Sequence, residues 1–156
     1  MRLSWSKTLP EAYKAMIGLQ NVVDKSGIEH KLLELVKIKA SQINGCAHCL
    51  EMHTKDAIAI GEDEQRLHVL AAWREAPFYS GRERAALEWC EALTELPGKG
   101  APDILYDKLS ALFSQEEIVE LTMAIVVINS WNRLNVGFRS PVGNYISKKR
   151  IEFQQA

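Results

Sequence analysis

The stretch ELVKIKASQINGCAHCLEMH, residues 34–53, decides how this chain is read. Its first half continues a helical pattern that starts near His30, with Leu32, Leu33, Val36 and Ala40 on one face. Asn44-Gly45 is a helix-breaking dipeptide. Its second half places Cys46, Cys49 and His53 at i, i+3 and i+7, offsets that share one face of a new helix. The reading is therefore helix, tight turn, helix, and it makes a geometric prediction. Glu34 lies ten residues before the turn and His53 eight after it. At about 1.5 Å rise per residue these are ~15 and ~12 Å along antiparallel axes, so the carboxylate can reach the imidazole.

Outward from this hairpin almost everything reads as helix. Pro10 suits a first turn and opens a pattern to about Asp24, closed by Ser26-Gly27. Helices are expected over about 30–43, 46–60, 64–74, 81–96 and 103–113. Pro97-Gly98-Lys99-Gly100-Ala101-Pro102 reads as a linker, too short to separate domains. Ser114 with Glu117 three residues on is a capping box, opening a long apolar helix to about Phe138. No stretch alternates with the period of a strand. The expectation is an all-α single domain spanning residues 1–156, with about six to eight helices.

Bulk properties narrow the partners. A chain of 156 residues, 47% hydrophobic and 25% charged, can bury a core without staples. Net charge −1 provides no field to gather a nucleic-acid backbone or an anionic membrane, so neither is expected as a partner. The KKR at 148–150 reads as a solvated tail. The N-terminus has no signal-peptide pattern. The run LTMAIVVINSWN, 121–132, is shorter than the roughly 20 residues that span a bilayer. A cytoplasmic protein is expected, and in a reducing compartment a close cysteine pair points to catalysis or metal before a permanent staple.

The chemistry gathers in residues 34–53. Unpaired N–H groups and the positive end of the dipole favour a thiolate on Cys46, at the helix start. Two-residue spacing lets Cys46 and Cys49 close a disulfide with little movement. A carboxylate orienting an imidazole that takes a thiol proton is the usual logic of an activated nucleophile, here Glu34, His53 and Cys49. Among apolar neighbours Glu34 is expected to have a raised pKa, and could itself accept a proton. Zinc is the rival reading: Cys46, Cys49 and His53 with Glu34, His48 or water. Against it, no second ligand pair at zinc spacing is evident. Cys90, in ALEWCEAL, reads as a packing residue. Trp131-Asn132-Arg133, after the apolar run, reads either as a polar contact at an interface or pocket mouth, or as a helix surfacing into solvent.

The pattern E-x11-C-x-H-C-x3-H, formed by Glu34, Cys46, His48, Cys49 and His53, resembles the alkylhydroperoxidase D core motif of the carboxymuconolactone decarboxylase-like superfamily. So do ASQINGCAHCLEMHTKDA, RERAALEWCEALTEL and FSQEEIVELTMAIVVINSWNRL, so that the resemblance covers roughly residues 9–138. The resemblance implies an all-helical antioxidant-type fold assembling as a homotrimer or homohexamer. It implies thiol-dependent reduction of a hydroperoxide, with no bound cofactor and no metal. An external dithiol, thioredoxin-like or lipoyl, would restore the pair. By carry-over Cys49 is the peroxidatic cysteine and Cys46 the more exposed resolving cysteine. Glu34 and His53 form a proton relay that His48 assists. The helix-dipole reasoning instead favours Cys46 as the thiolate, so the order of the two thiols stays open. The chain is a single-core form, shorter than the two-lobed founding peroxidase. Its CxxC pair argues against decarboxylation. A general disulfide oxidoreductase, a metal-dependent lyase or hydrolase, a decarboxylase-type lyase and a non-catalytic redox sensor are the alternatives.

Overall fold

The computed structural model describes residues 1–149. Helix α1 (Trp5–Thr8) is a single turn, and α2 (Pro10–Asp24) has Pro10 at its start, where the missing N–H costs nothing. Next come α3 (His30–Asn44), α4 (Ala47–Ala59) and α5 (Glu64–Val69), the last running into a 3₁₀ turn at Leu70–Ala72. The chain continues through α6 (Gly81–Thr94), a short α7 (Leu96–Lys99), α8 (Asp103–Ser110) and α9 (Gln115–Phe138). There is no strand among the described residues. None of the described helices is long and apolar enough to cross a membrane.

Helix α3 is the hub, packed against α4, α6 and α9. Its side chains from Leu32 to Ser41 are all buried, apolar and charged alike. A helix buried on every side has to partner its charges internally. Lys39 does so on Glu91 of α6 at 2.9 Å, and Glu91 also accepts from the Trp73 indole N–H at 3.0 Å. Two apolar clusters flank the hub. One holds Val23, Leu33, Val36, Ala40, Leu121, Ile125 and Ile128, and the other Leu35, Ile38, Leu70, Trp73 and Leu87.

Gly45 ends α3 with φ 64°, a left-handed turn that glycine adopts without a Cβ clash. Its N–H and that of Cys46 return to the Gln42 and Ser41 carbonyls, reversing the chain directly into α4. The capping box at Ser114 and Glu117 is present at the start of α9. An equivalent one at Ser80 and Glu83 starts α6. It too is legible in the sequence, as Ser followed three residues later by Glu.

Three expectations are corrected. The helix expected over 64–74 stops at Val69 and tightens to 3₁₀, which lets Trp73 turn inward onto Glu91. The linker 97–102 carries the single turn α7 over its first residues. The 148–150 tail is not solvated throughout: Lys149 Nζ reaches Glu34 Oε1 at 2.8 Å, because buried carboxylates on α3 and α4 attract it. Arg150 lies outside the described residues.

Candidate active site

Glu34, fully buried, sits where α3 faces α4. Its Oε2 accepts from His53 Nδ1 at 2.8 Å, so the antiparallel register read from the turn brings these two together. Its Oε1 accepts from Lys37 Nζ at 3.1 Å and Lys149 Nζ at 2.8 Å. Burial pushes the Glu34 carboxyl up, but His53, Lys37 and Lys149 together hold it well below the ordinary carboxylate range. The expectation of a raised pKa is overturned: three donors outweigh the desolvation, and Glu34 stays an anion. It can orient His53 but has no tendency to take a proton. With Nδ1 donating to the carboxylate, Nε2 is the ring nitrogen of His53 left to exchange a proton.

Cys46 and Cys49 are joined in a disulfide, with Cα atoms 5.4 Å apart. Cys46 is the N-cap of α4, where its sulfur accepts from the Cys49 backbone N–H at 3.3 Å. Both cysteines are 0% exposed in this chain. The expectation that Cys46 is the more exposed thiol therefore fails, because the cap geometry folds its sulfur inward over the first turn. On Cys49 the sulfur accepts from Asn135 Nδ2 of α9 at 3.4 Å.

His48 stands apart from the Glu34–His53 pair. Its Nδ1–H donates to the Pro141 carbonyl at 2.7 Å. That contact belongs to residues 139–149, which fold back along α4. In the same segment Gly143 N–H donates to Glu51 at 2.7 Å and Tyr145 O–H to Asp56 Oδ1 at 2.8 Å. Burial, then the Asp56 carboxylate, pushes the Tyr145 phenol up. Lys149 is pushed up as well: burial lowers it, but Glu34 and Asp56 more than compensate.

A cavity of about 430 Å³ opens beside these residues. His48, His53 and Asn135 form one wall, and Trp5, Tyr13 and Trp131 another. Tyr13 meets each Trp edge-on and the two Trp rings are tilted, with centroids 5.7–6.4 Å apart. Trp131 is thus at a pocket wall. Its neighbour Asn132 is instead fully buried, donating to Ser41 Oγ and accepting from Asn44 Nδ2, which ties α9 to the α3–α4 turn. Arg133 folds onto the Asn129 carbonyl at 2.8 Å.

Comparison with known proteins agrees with this architecture. The profile of the carboxymuconolactone decarboxylase family matches residues 10–92. The chain belongs to that family. It is 42% identical over 148 residues to the uncharacterised protein YdfG of Bacillus subtilis, covering 95% of this chain and 98% of that one. Among solved structures, it resembles a protein of unknown function from Agrobacterium tumefaciens described as a candidate AhpD antioxidant defence protein. That match has 48% identity and a TM-score of 0.87, over 91% of this chain and 99% of that one. The debrominase Bmp8 shares the fold at TM-score 0.79 and 22% identity, over 88% of this chain and 74% of that one. Enzymes are thus found in this family and fold.

Glu34, His53 and Asp56 bring ligand-type atoms within 4.8 Å of one another. The fit to a cation is poor, since two ammonium groups already contact Glu34 Oε1. Cys90, expected to be a packing residue, is fully buried and donates to the Val36 carbonyl at 3.4 Å. Burial pushes its thiol up to about 12. Sequence reasoning missed Lys37, Lys149, Asp56, Tyr145 and Asn135. Lys37 and Asp56 had local signals, three residues after Glu34 and after His53 on the same helices.

Proposed function

We propose that this protein is a thiol-dependent peroxidase, cycling Cys46 and Cys49 between dithiol and disulfide to reduce hydroperoxides. The observation that carries the reading is the His53–Glu34 pair at 2.8 Å, one helical turn from Cys49. An ionised, buried carboxylate fixes His53 with Nε2 free, which is the arrangement a thiol needs to lose its proton.

The steps follow from that pairing. Cys49 gives its proton to His53 Nε2. The thiolate attacks the terminal oxygen of a hydroperoxide, the O–O bond breaks, and the departing alkoxide takes the proton from His53. Cys49 is left as a sulfenic acid. Cys46 displaces hydroxide from it as water, forming the disulfide. An external dithiol of thioredoxin-like or lipoyl type restores both thiols by exchange. Glu34 acts as an orienter rather than as a proton carrier, and His48 sits on the cavity wall where an entering substrate would pass. Assembly as a homotrimer or homohexamer is part of the same proposal.

The test is steady-state consumption of a hydroperoxide with a dithiol as reductant. Wild-type protein turns over, and Cys46→Ser and Cys49→Ser each abolish turnover. Full activity in Cys49→Ser would overturn the reading. A second reading is supported by the ring-lined cavity: reductive chemistry by the same thiol pair on a small ring compound. A Bmp8 variant of this fold is described in complex with 2,3,4-tribromopyrrole. Thiol-dependent loss of halide from a brominated pyrrole, without hydroperoxide turnover, would favour it.

A further inference from the structure

Asn135 lies in the last turn of α9, and its side-chain amide bridges two groups. Nδ2 is 3.4 Å from Cys49 Sγ, and Oδ1 accepts from Ser140 Oγ at 2.7 Å. Ser140 is placed by the helix end itself. Arg139 takes the left-handed conformation at φ 54°, and the Ser140 N–H returns to the Asn135 carbonyl at 3.0 Å. Ser140 therefore holds Asn135 twice, its N–H on the backbone carbonyl and its hydroxyl on the side-chain amide oxygen. With the amide oxygen occupied by a hydroxyl, the NH₂ end faces sulfur. The flipped amide would set an oxygen lone pair against a sulfur lone pair, which is repulsive for the disulfide sulfur and more so for a thiolate, neither of which has a proton to donate.

We propose that Asn135 is a catalytic residue of the thiol pair: its amide N–H stabilises negative charge on Cys49, making Cys49 the thiolate of the reduced protein and the leaving sulfur when the disulfide is opened at Cys46. This deepens the thiol–disulfide reading above and rests on it.

Cys90 is the internal contrast. It and Cys49 are equally buried, but their hydrogen bonds run in opposite directions. Cys90 donates to a carbonyl and must keep its proton to do so. Cys49 accepts from an N–H, which binds the thiolate more strongly than the thiol. Cys46 has a donor of its own, the Cys49 backbone N–H at 3.3 Å, together with the helix end. The backbone donor and the helix end by themselves favour charge on Cys46. Asn135 adds a donor on the side of Cys49, where His53 also stands, and so bears on the point that motif and helix dipole left in conflict.

The bookkeeping of electrons closes in both half-reactions. In reduction, a thiolate of the external dithiol attacks Cys46 Sγ and forms a mixed disulfide. The Cys46–Cys49 bond breaks, and its electron pair passes to Cys49 Sγ beside the Asn135 N–H. The second thiolate of the dithiol then displaces Cys46. In oxidation, the same stabilised thiolate is the nucleophile toward the hydroperoxide.

The experiment measures the ionisation of Cys49 alone, in a Cys46→Ser background, by ultraviolet thiolate absorbance and by the pH dependence of iodoacetamide alkylation. His48 and His53 on α4, Glu34 and Lys37 on α3, Asp56, and Tyr145 and Lys149 from 139–149 remain in parent and variant alike. Asn135→Ala raises the Cys49 midpoint by about one pH unit, roughly a tenfold loss of thiolate below it, as expected for a lost hydrogen bond to a charged group. Asn135→Asp raises it further. Ser140→Ala, which leaves α9 and the amide in place but frees its orientation, shifts it the same way by less, and decides the matter if Asn135→Ala does not fold. In a Cys49→Ser background the Cys46 midpoint stays put under Asn135→Ala. An unchanged Cys49 midpoint, or an equal shift on Cys46, overturns the proposal. Absence of peroxide turnover in the unmutated protein would sink the peroxidase reading without altering this titration, so the two failures are separable.

Discussion

Replacing Glu34 by Gln tests the centre of the site. The side chain is fully buried and faces three donors: His53 Nδ1 at 2.8 Å, Lys149 Nζ at 2.8 Å and Lys37 Nζ at 3.1 Å. Lys37 has 6% of its side chain exposed and Lys149 28%. Lys149 can swing to solvent when its partner goes, but Lys37 is left as an uncompensated buried charge. Removing one partner of a buried pair costs about 3–5 kcal/mol. The lower end applies, because Gln keeps one acceptor and Lys149 escapes. For 156 residues about 3 kcal/mol corresponds to a fall in Tm of about 6–12 °C, read by circular dichroism. Adding Lys37→Met should recover at least about 1 kcal/mol, since the two sites share one interaction. The folded carboxyl is depressed, so its contribution is present above the unfolded value of about 4.3 and is lost as pH falls through the lower folded value. The acid limb of stability should accordingly be shallower in Glu34→Gln than in the parent. Peroxide turnover should also fall, by at most the roughly 10²–10⁴-fold that the base His53 contributes, because Gln no longer fixes which His53 nitrogen carries the proton. A Tm within about 2 °C of the parent, or no recovery with Lys37→Met, would refute the buried charge cluster.

Cys90 gives a second prediction. The oxidised native protein should incorporate no iodoacetamide at neutral pH, and unfolding without reduction should expose one thiol. Native labelling of Cys90 would contradict its burial and its thiol near 12. Because that value is raised, the stability it reflects is intact below about pH 8.5 and is lost as pH climbs toward 12. Tyr145 and Lys149 are also raised, so their anchoring of 139–149 holds below about pH 10 and is lost as pH rises through their folded values. Limited proteolysis beyond Arg139 should therefore increase at high pH. Tyr145→Phe, which removes a bond of about 1 kcal/mol to Asp56, should bring that increase to lower pH. Protease resistance unaffected by the change would count against the segment being held there. Trp131→Ala opens the ring-lined wall of the cavity. It should raise KM for an aryl hydroperoxide by roughly tenfold, with little change for hydrogen peroxide. Equal effects on both would remove the cavity from substrate binding.

The legibility of this site followed chain separation. Glu34 and His53 could be paired from sequence because one turn of known geometry, with Gly45 left-handed, fixes the register of two helices, and 1.5 Å per residue does the rest. The same reasoning placed Cys46, Cys49 and His53 on one face and the capping box at Ser114. It misjudged the Glu34 carboxyl because burial was visible in LLELV while the compensating charges were only partly so. Lys37 is three residues on, but Lys149 is 115 residues away. A basic tripeptide near a chain end looks solvated until a buried anion is known to wait for it. Asn135 shows the same limit, 86 residues from the sulfur it contacts. Its position follows from how α9 crosses α4, and no periodicity encodes that crossing. The residues that set up the chemistry are local to one hairpin and therefore readable. Those that tune its charge come from the end of α9 and the segment beyond it, brought in by packing. If Asn135 decides which sulfur is ionised, substitutions within residues 131–149 should change the order and pH range of the thiol reactions while leaving the motif in residues 34–53 untouched.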